Sequence, residues 1–390
     1  MRRCVSVYFG GSVTLYTIAS TFVYILYAGL KQLNMSFPTV SSHFVSEKIS
    51  AVRWLPEQLM QSDRFVTGSW DMDQNFVRLY RLQSNQYADT NVDFVPRCND
   101  KVAIEGDVTA MEFADKNTLA VSCADGHLSL LNMQRAVEED QLQRTARSER
   151  LHYFKRTNKS SPCTDLSVYG GDIATVGEDG CVNIMNASNI KQVKRTIEAD
   201  SMSLLSVCYI SQQQLVTANR MGVIRILDAR ASTAAQEKIS IMVGSKDEKR
   251  SNFVSALGTH PMQHHILLCG TEEGTITVWD LRNLQFPASY LSAHESAITD
   301  IAFHRNDPSK VFTAAEEGEV WMWSENKGIG DRNLQDGKSA WLSGDRLRSL
   351  VNVDGVLTRI RKAINSFDMN GPRLICGGDT EAVYLVDNIF

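Results

Sequence analysis

A few side chains have the types and spacing from which a reactive centre could be built. His294, Asp300 and a nearby Ser have the composition of a hydrolase triad, in which an imidazole activates a hydroxyl for acyl transfer. The run HPMQHHILLC supplies His260, His264, His265 and Cys269, the ligand types of a tetrahedral zinc site. Both need convergence that spacing alone does not provide. His260-Pro261 opens a turn, His264 and His265 continue it, and Cys269 falls in the apolar run that follows. No Gly-rich segment matches a phosphate-binding loop, since YGGDIATVG and CGGDTE read as β-turns. The expectation is no catalytic residue, no metal, no cofactor and no small-molecule substrate.

The elements that carry these residues form a repeat. GTEEGTITVWDLRN, starting at Gly270, combines small residues, an acidic turn closed by Gly and an alternating apolar strand. The theme recurs as VSCADGHLSLLNM at Val121, TVGEDGCVNIMNA at Thr175 and TANRMGVIRILDAR at Thr217. TAAEEGEVWMWSE at Thr313, CGGDTEAVYLVDN at Cys376 and a longer version, TGSWDMDQNFVRLYRL at Thr67, complete the set. Glycine permits the positive φ of a tight turn, and alternation places one strand face in a core, so each stretch predicts a β-hairpin. A further strand precedes each hairpin: ISAVRW, VTAMEF, CTDLSV, LLSVCYI, FVSALGTHP, AITDIAFH and INSFDM.

Turn glycines about 40–55 residues apart match the spacing of four-stranded propeller blades. The reading is an all-β, seven-bladed β-propeller spanning residues 43–390. The last blade lacks a fourth strand before the chain stops at Phe390, and HFVSEK (His43–Lys48) is predicted to fill it. Phe44 and Val45 then bury side chains at the closure, which leaves no long edge unpaired. Residues 35–42 are expected to form a flexible N-terminus.

The blades resemble WD40 repeats in the VWD of Val278–Asp280 and the AHES of Ala293–Ser296. In such repeats the His hydrogen-bonds within its blade, to the turn Asp and a strand hydroxyl, which is the expectation for His294. Trp279 and Trp323 occupy one strand position in neighbouring blades and are expected in these networks or in the core. A net charge of −5 provides no global basic field for nucleic acid. Eight cysteines without regular spacing read as free thiols.

Cys4 to Leu30 contains no charged residue and follows Arg2 and Arg3, long enough for a membrane span. Scattered thiols argue against export. The expectation is that residues 1–34 are absent from the main product, which starts at Met35 and has no membrane span. Three long segments interrupt the repeats: Gln134–Pro162, Ala231–Asn252 and Asn326–Ala363. The last carries eight basic and four acidic residues. An exposed Trp341 beside Leu342, Arg346 and Arg348 has the composition of a binding hot spot, with Phe286 and Tyr290 as additions.

HFVSEKISAVRWLP, FVTGSWD, DIATVGEDGCVNI, GTEEGTITVWDLRN with LSAHES, and NGPRLICGGDTEAVYLVDNIF are together similar to the forty-three-kilodalton WD-repeat nucleoporin family of the nuclear pore's Y-shaped outer ring. The resemblance covers about His43 to Phe390. It implies a non-enzymatic scaffold that docks on a helical-solenoid nucleoporin, supports nucleocytoplasmic transport and mRNA export, and visits kinetochores in mitosis. The residues alone also fit a ubiquitin-ligase substrate adaptor or a chromatin-peptide reader, because fold does not fix function.

Overall fold

In each repeat the alternating strands pair with the strand before them, and a fourth strand completes an antiparallel sheet. Seven four-stranded sheets form the blades of a β-propeller. The computed structural model describes residues 38–57, 61–84, 94–136, 139–230, 237–240, 253–326 and 339–390. Residues 1–37, including the apolar leader and Met35, lie outside the described residues, as does most of Ala231–Asn252. Among the described residues no helix is long and apolar enough to cross a membrane.

The predicted leading strands are the first strands of the blades: Ile49–Trp54, Val108–Phe113, Cys163–Tyr169, Leu204–Ser211, Val254–Thr259, Ile298–Phe303 and Ile364–Asn370. They neighbour one another in order around the central channel, and the last returns to the first. The core is divided among the seven seams between adjacent blades, each filled by its own apolar cluster. The small residues of the repeat have a packing role here. A Cβ on Gly377 would lie 2.5 Å from Ile49 Cγ2, and one on Gly68 2.5 Å from Val108 Cγ1. Each glycine lets the next blade's first strand approach closely.

The ring closes with an N-terminal strand, but not the predicted one. Thr39–Phe44 pairs with Ala382–Asp387, in register from Thr39↔Asp387 to Phe44↔Ala382. Only His43 and Phe44 are shared with the predicted His43–Lys48, and residues 39–42 are strand instead of flexible tail. Phe44 is 71% exposed, while Val45 is half-buried against the seam of blades 7 and 1. An outermost strand faces solvent on both sides, so closure here comes mainly from the backbone ladder. From this strand the chain crosses to blade 1, where buried Glu47 accepts two hydrogen bonds from Arg78. That pair pins the crossing.

The three long segments are not simple connectors between blades. Gln141–Arg147, Glu237–Ser240 and Val351–Leu357, each inside one of them, are the outer strands of blades 2, 4 and 6. The predicted 326–363 loop thus contains a strand, and the residues before that strand join the third and fourth strands of blade 6; of these, 327–338 lie outside the described residues. Gln134–Pro162 also holds a small hairpin, Tyr153–Phe154 with Lys159–Ser160.

Candidate interaction surfaces

Polar side chains line the channel, and the fold uses them. A first strand is an edge strand, so its inward backbone groups lack ladder partners. Side chains of the preceding blade supply them. Thr164 donates to Leu204 O at 2.8 Å and Asn365 to Ile49 O at 2.9 Å. Asp165 accepts from Val207 N at 2.9 Å, Glu112 from Val168 N at 2.8 Å, Asp300 from Phe367 N at 3.1 Å and Asp368 from Trp54 N at 2.8 Å. Part of the signal was present in the sequence as a polar residue second in six of the seven first strands (Ser50, Thr109, Thr164, Ser255, Thr299, Asn365), with Leu205 in that place in blade 4.

The channel encloses about 540 Å³. Burial pushes the carboxyl of Glu112 up to about 7 and that of Asp165 up to about 6, and raises Asp300. Burial also raises the Cys208 thiol, which disfavours a nucleophilic thiolate. Every described cysteine is free.

His294 serves its blade. His294 Nδ1 lies 2.7 Å from Glu317 Oε1, and Nε2 lies 2.8 Å from Thr313 Oγ1. Trp323 Nε1 donates to the same Thr313 hydroxyl at 3.0 Å. Both ring nitrogens of His294 are therefore occupied, and Asp300 lies apart in the channel wall, so no triad is assembled. Burial lowers the His294 pKa, against the opposing pull of Glu317. Trp279 is buried and donates to Thr277 Oγ1 at 3.2 Å.

A second network is centred on His152, 3.0 Å from both Asp179 and Thr175. Sequence reasoning missed it. His294 precedes its strand by four residues, whereas the small hairpin separates His152 from Cys163. The HPMQHH turn is likewise internal: buried His260 accepts from Met262 N at 3.1 Å and Gln263 N at 2.9 Å. Cys269 is fully buried in its strand.

The insertion of blade 6 corrects the hot-spot reading. Trp341 is 2% exposed, packed edge-on to Phe303 at 5.8 Å between blades 5 and 6. Its carbonyl accepts from Ser289 Oγ at 2.9 Å, which in turn accepts from Gly344 N at 3.0 Å. Leu342 is half-buried against the same cluster. Trp341 is therefore a pedestal that fixes the insertion to blade 5. Arg346 and Arg348 are exposed and form no ion pair among the described residues. Phe286 is 77% and Tyr290 46% exposed on blade 5 beside the insertion. These four residues remain at the surface while Trp341 does not.

Fold and surface together define a WD40-type seven-bladed β-propeller in which His152, His294 and the channel carboxylates are committed to its own architecture. The profile described as nucleolar protein 10-like, N-terminal domain, a β-propeller, matches residues 137–339, just over half of the chain, and the chain belongs to that family. It is 27% identical to nucleoporin Nup43 of Homo sapiens over 389 residues, covering 90% of this chain and 99% of that protein. Nuclear pore complex protein NUP43 of Arabidopsis thaliana is 24% identical over 375 residues, covering 87% and 94%. The likeness to the WD-repeat nucleoporins read from scattered motifs therefore extends along nearly the whole chain.

Proposed function

We propose that the chain is a non-enzymatic scaffold subunit of the nuclear pore's outer ring. The observation that carries this reading is the similarity, over about nine-tenths of the chain, to Nup43 proteins of animal and plant. The commitment of His152, His294 and the channel carboxylates to structural hydrogen bonds supports a non-enzymatic role. In this reading the propeller docks on a helical-solenoid nucleoporin, supports nucleocytoplasmic transport and mRNA export, and joins kinetochores in mitosis. The rim of blades 5 and 6 is the contact: Phe286 and Tyr290 supply apolar area, and Arg346 and Arg348 steer an acidic partner surface. A stable contact buries about 800 Å² per partner, so neighbouring blade surface contributes too.

The test is affinity purification of the tagged chain, with imaging of its location. Co-purified outer-ring nucleoporins and a nuclear-rim signal are expected. Recovery of ligase subunits or histones instead would overturn the proposal.

A further inference from the structure

We infer that the opposite end of the propeller carries a second docking surface, built on the Tyr153–Ser160 hairpin, for an acidic partner segment that also bears apolar side chains. This goes beyond the scaffold reading and does not depend on the nuclear pore. The hairpin projects from the connection between blades 2 and 3, at the end where each connection rests on the turn between second and third strands. All eight of its residues are exposed, so it adds nothing to any seam. An isolated two-stranded hairpin is marginal in water. This one is held at its base by Ser161 N to His152 O, 3.1 Å, and by Arg150, whose Nη2 donates to Asn158 Oδ1 at 2.7 Å.

The anchored hairpin presents adjacent aromatics, Tyr153 at 39% and Phe154 at 37% exposure. The Arg150 guanidinium lies 5.2 Å from the Tyr153 ring centre. Asp179 accepts from Tyr153 N at 3.1 Å. The next residue, Gly180, carries the following connection on its carbonyl, and there Met202 is 41% exposed. A hollow of about 420 Å³ lies between Tyr153, Phe154, Arg156 and Asp179. Aromatics, Met and Arg are the residues enriched at interface cores.

Charge selects the occupant. Lys155 is paired with Glu198, but exposed Arg156, Lys159 and Arg220 have no ion pair among the described residues. In a chain of net charge −5 this is a local basic patch that draws an acidic segment. A nucleic-acid backbone fits less well, because Glu178 would repel a continuous run of phosphates and Met202 offers apolar area that phosphates do not cover. A peptide can set apolar residues between its acids and satisfy both parts of the surface.

The test places the photo-cross-linker benzoylphenylalanine at Phe154 of the full chain in cells, with the same group at Phe286 and at exposed Ser188 as references. Cross-linked segments are mapped, synthesised and titrated against the purified chain. The expected result is a Phe154-specific adduct on a net-acidic segment with apolar residues. The double variants Tyr153→Ser/Phe154→Ser and Arg156→Glu/Lys159→Glu should each weaken its binding at least tenfold, with unchanged melting. Phe286→Ser/Tyr290→Ser should leave it unaltered. Adducts on nucleotides or basic segments, no adduct above the Ser188 level, or equal affinity in the folded hairpin variants would overturn the inference. Failure of the nuclear-pore reading would leave this result standing, since the readout is the chemistry of the segment.

Discussion

Replacing Trp341 by Ala separates a pedestal from a binding anchor. The indole is 2% exposed and packs between blades 5 and 6 with Phe303, Leu291 and Leu347. Removing a buried Trp side chain costs about 3–5 kcal/mol, from lost transfer energy and the cavity left behind. The insertion is tied to Ser289 through Trp341 O and Gly344 N, so the cavity cannot easily collapse, which favours the upper half of that range. Against a usual stability of about 5–15 kcal/mol this is a large fraction. At about 2–4 °C per kcal/mol for a sizeable domain, the melting temperature should fall by roughly 6–20 °C. Trp341→Phe should lose less than half as much. The exposed pair Arg346→Ala/Arg348→Ala should stay within about 0.5 kcal/mol of the parent. The assay is thermal and urea unfolding of all three proteins, beside a titration with the reconstituted outer-ring partner. A Trp341→Ala protein that melts like the parent yet fails to bind would refute the pedestal, because the indole would then be acting at the surface.

Deleting Thr39–Phe44 should open the edge of blade 7 and remove a ladder worth about 0.5–1.5 kcal/mol per bond, seen as a lower melting temperature and aggregation. Phe44→Ser alone should be nearly neutral, because that side chain is exposed. His152→Ala and His294→Ala should each leave buried partners unsatisfied and cost about 1–3 kcal/mol in chemical denaturation; parent-like curves would exclude the networks as stabilising. The folded pKa of His294 is lowered, so below pH 6.5 the unfolded chain takes up its proton first. Its stability contribution is full above that pH and declines as pH falls towards the folded pKa, a slope that His294→Asn should reduce. Glu112 has the opposite sign: its pKa is raised from 4.5 to about 7, so ionisation weakens the fold as pH climbs through that window. Glu112→Gln keeps an acceptor for Val168 N and should stabilise at pH 8 by about 1–3 kcal/mol, with little effect at pH 4; equal melting at both values would show that the channel carboxylate is well solvated.

The sequence by itself determined the repeat. A small residue, a Gly-closed turn and a strand with a core face recur wherever a strand is packed on both sides or near the channel, as in Ile266–Thr271 and Thr275–Asp280. That pattern counted seven blades and located the first three strands of each. It also placed Trp279 and Trp323 at one position. Outer strands were illegible for a physical reason: Asn189–Glu198 and Thr39–Phe44 are mostly solvated on both faces, so no burial selects an alternation. The closing strand was therefore misplaced by four residues, and outer strands were absorbed into apparent loops. Only the tertiary structure decided Trp341, because its burial depends on a groove formed by two blades and a hydroxyl, Ser289, lying far away in sequence. It alone also joined His152 to Thr175 and Asp179, since a hairpin inserted beside the histidine destroys the local spacing while the blade geometry holds all three together.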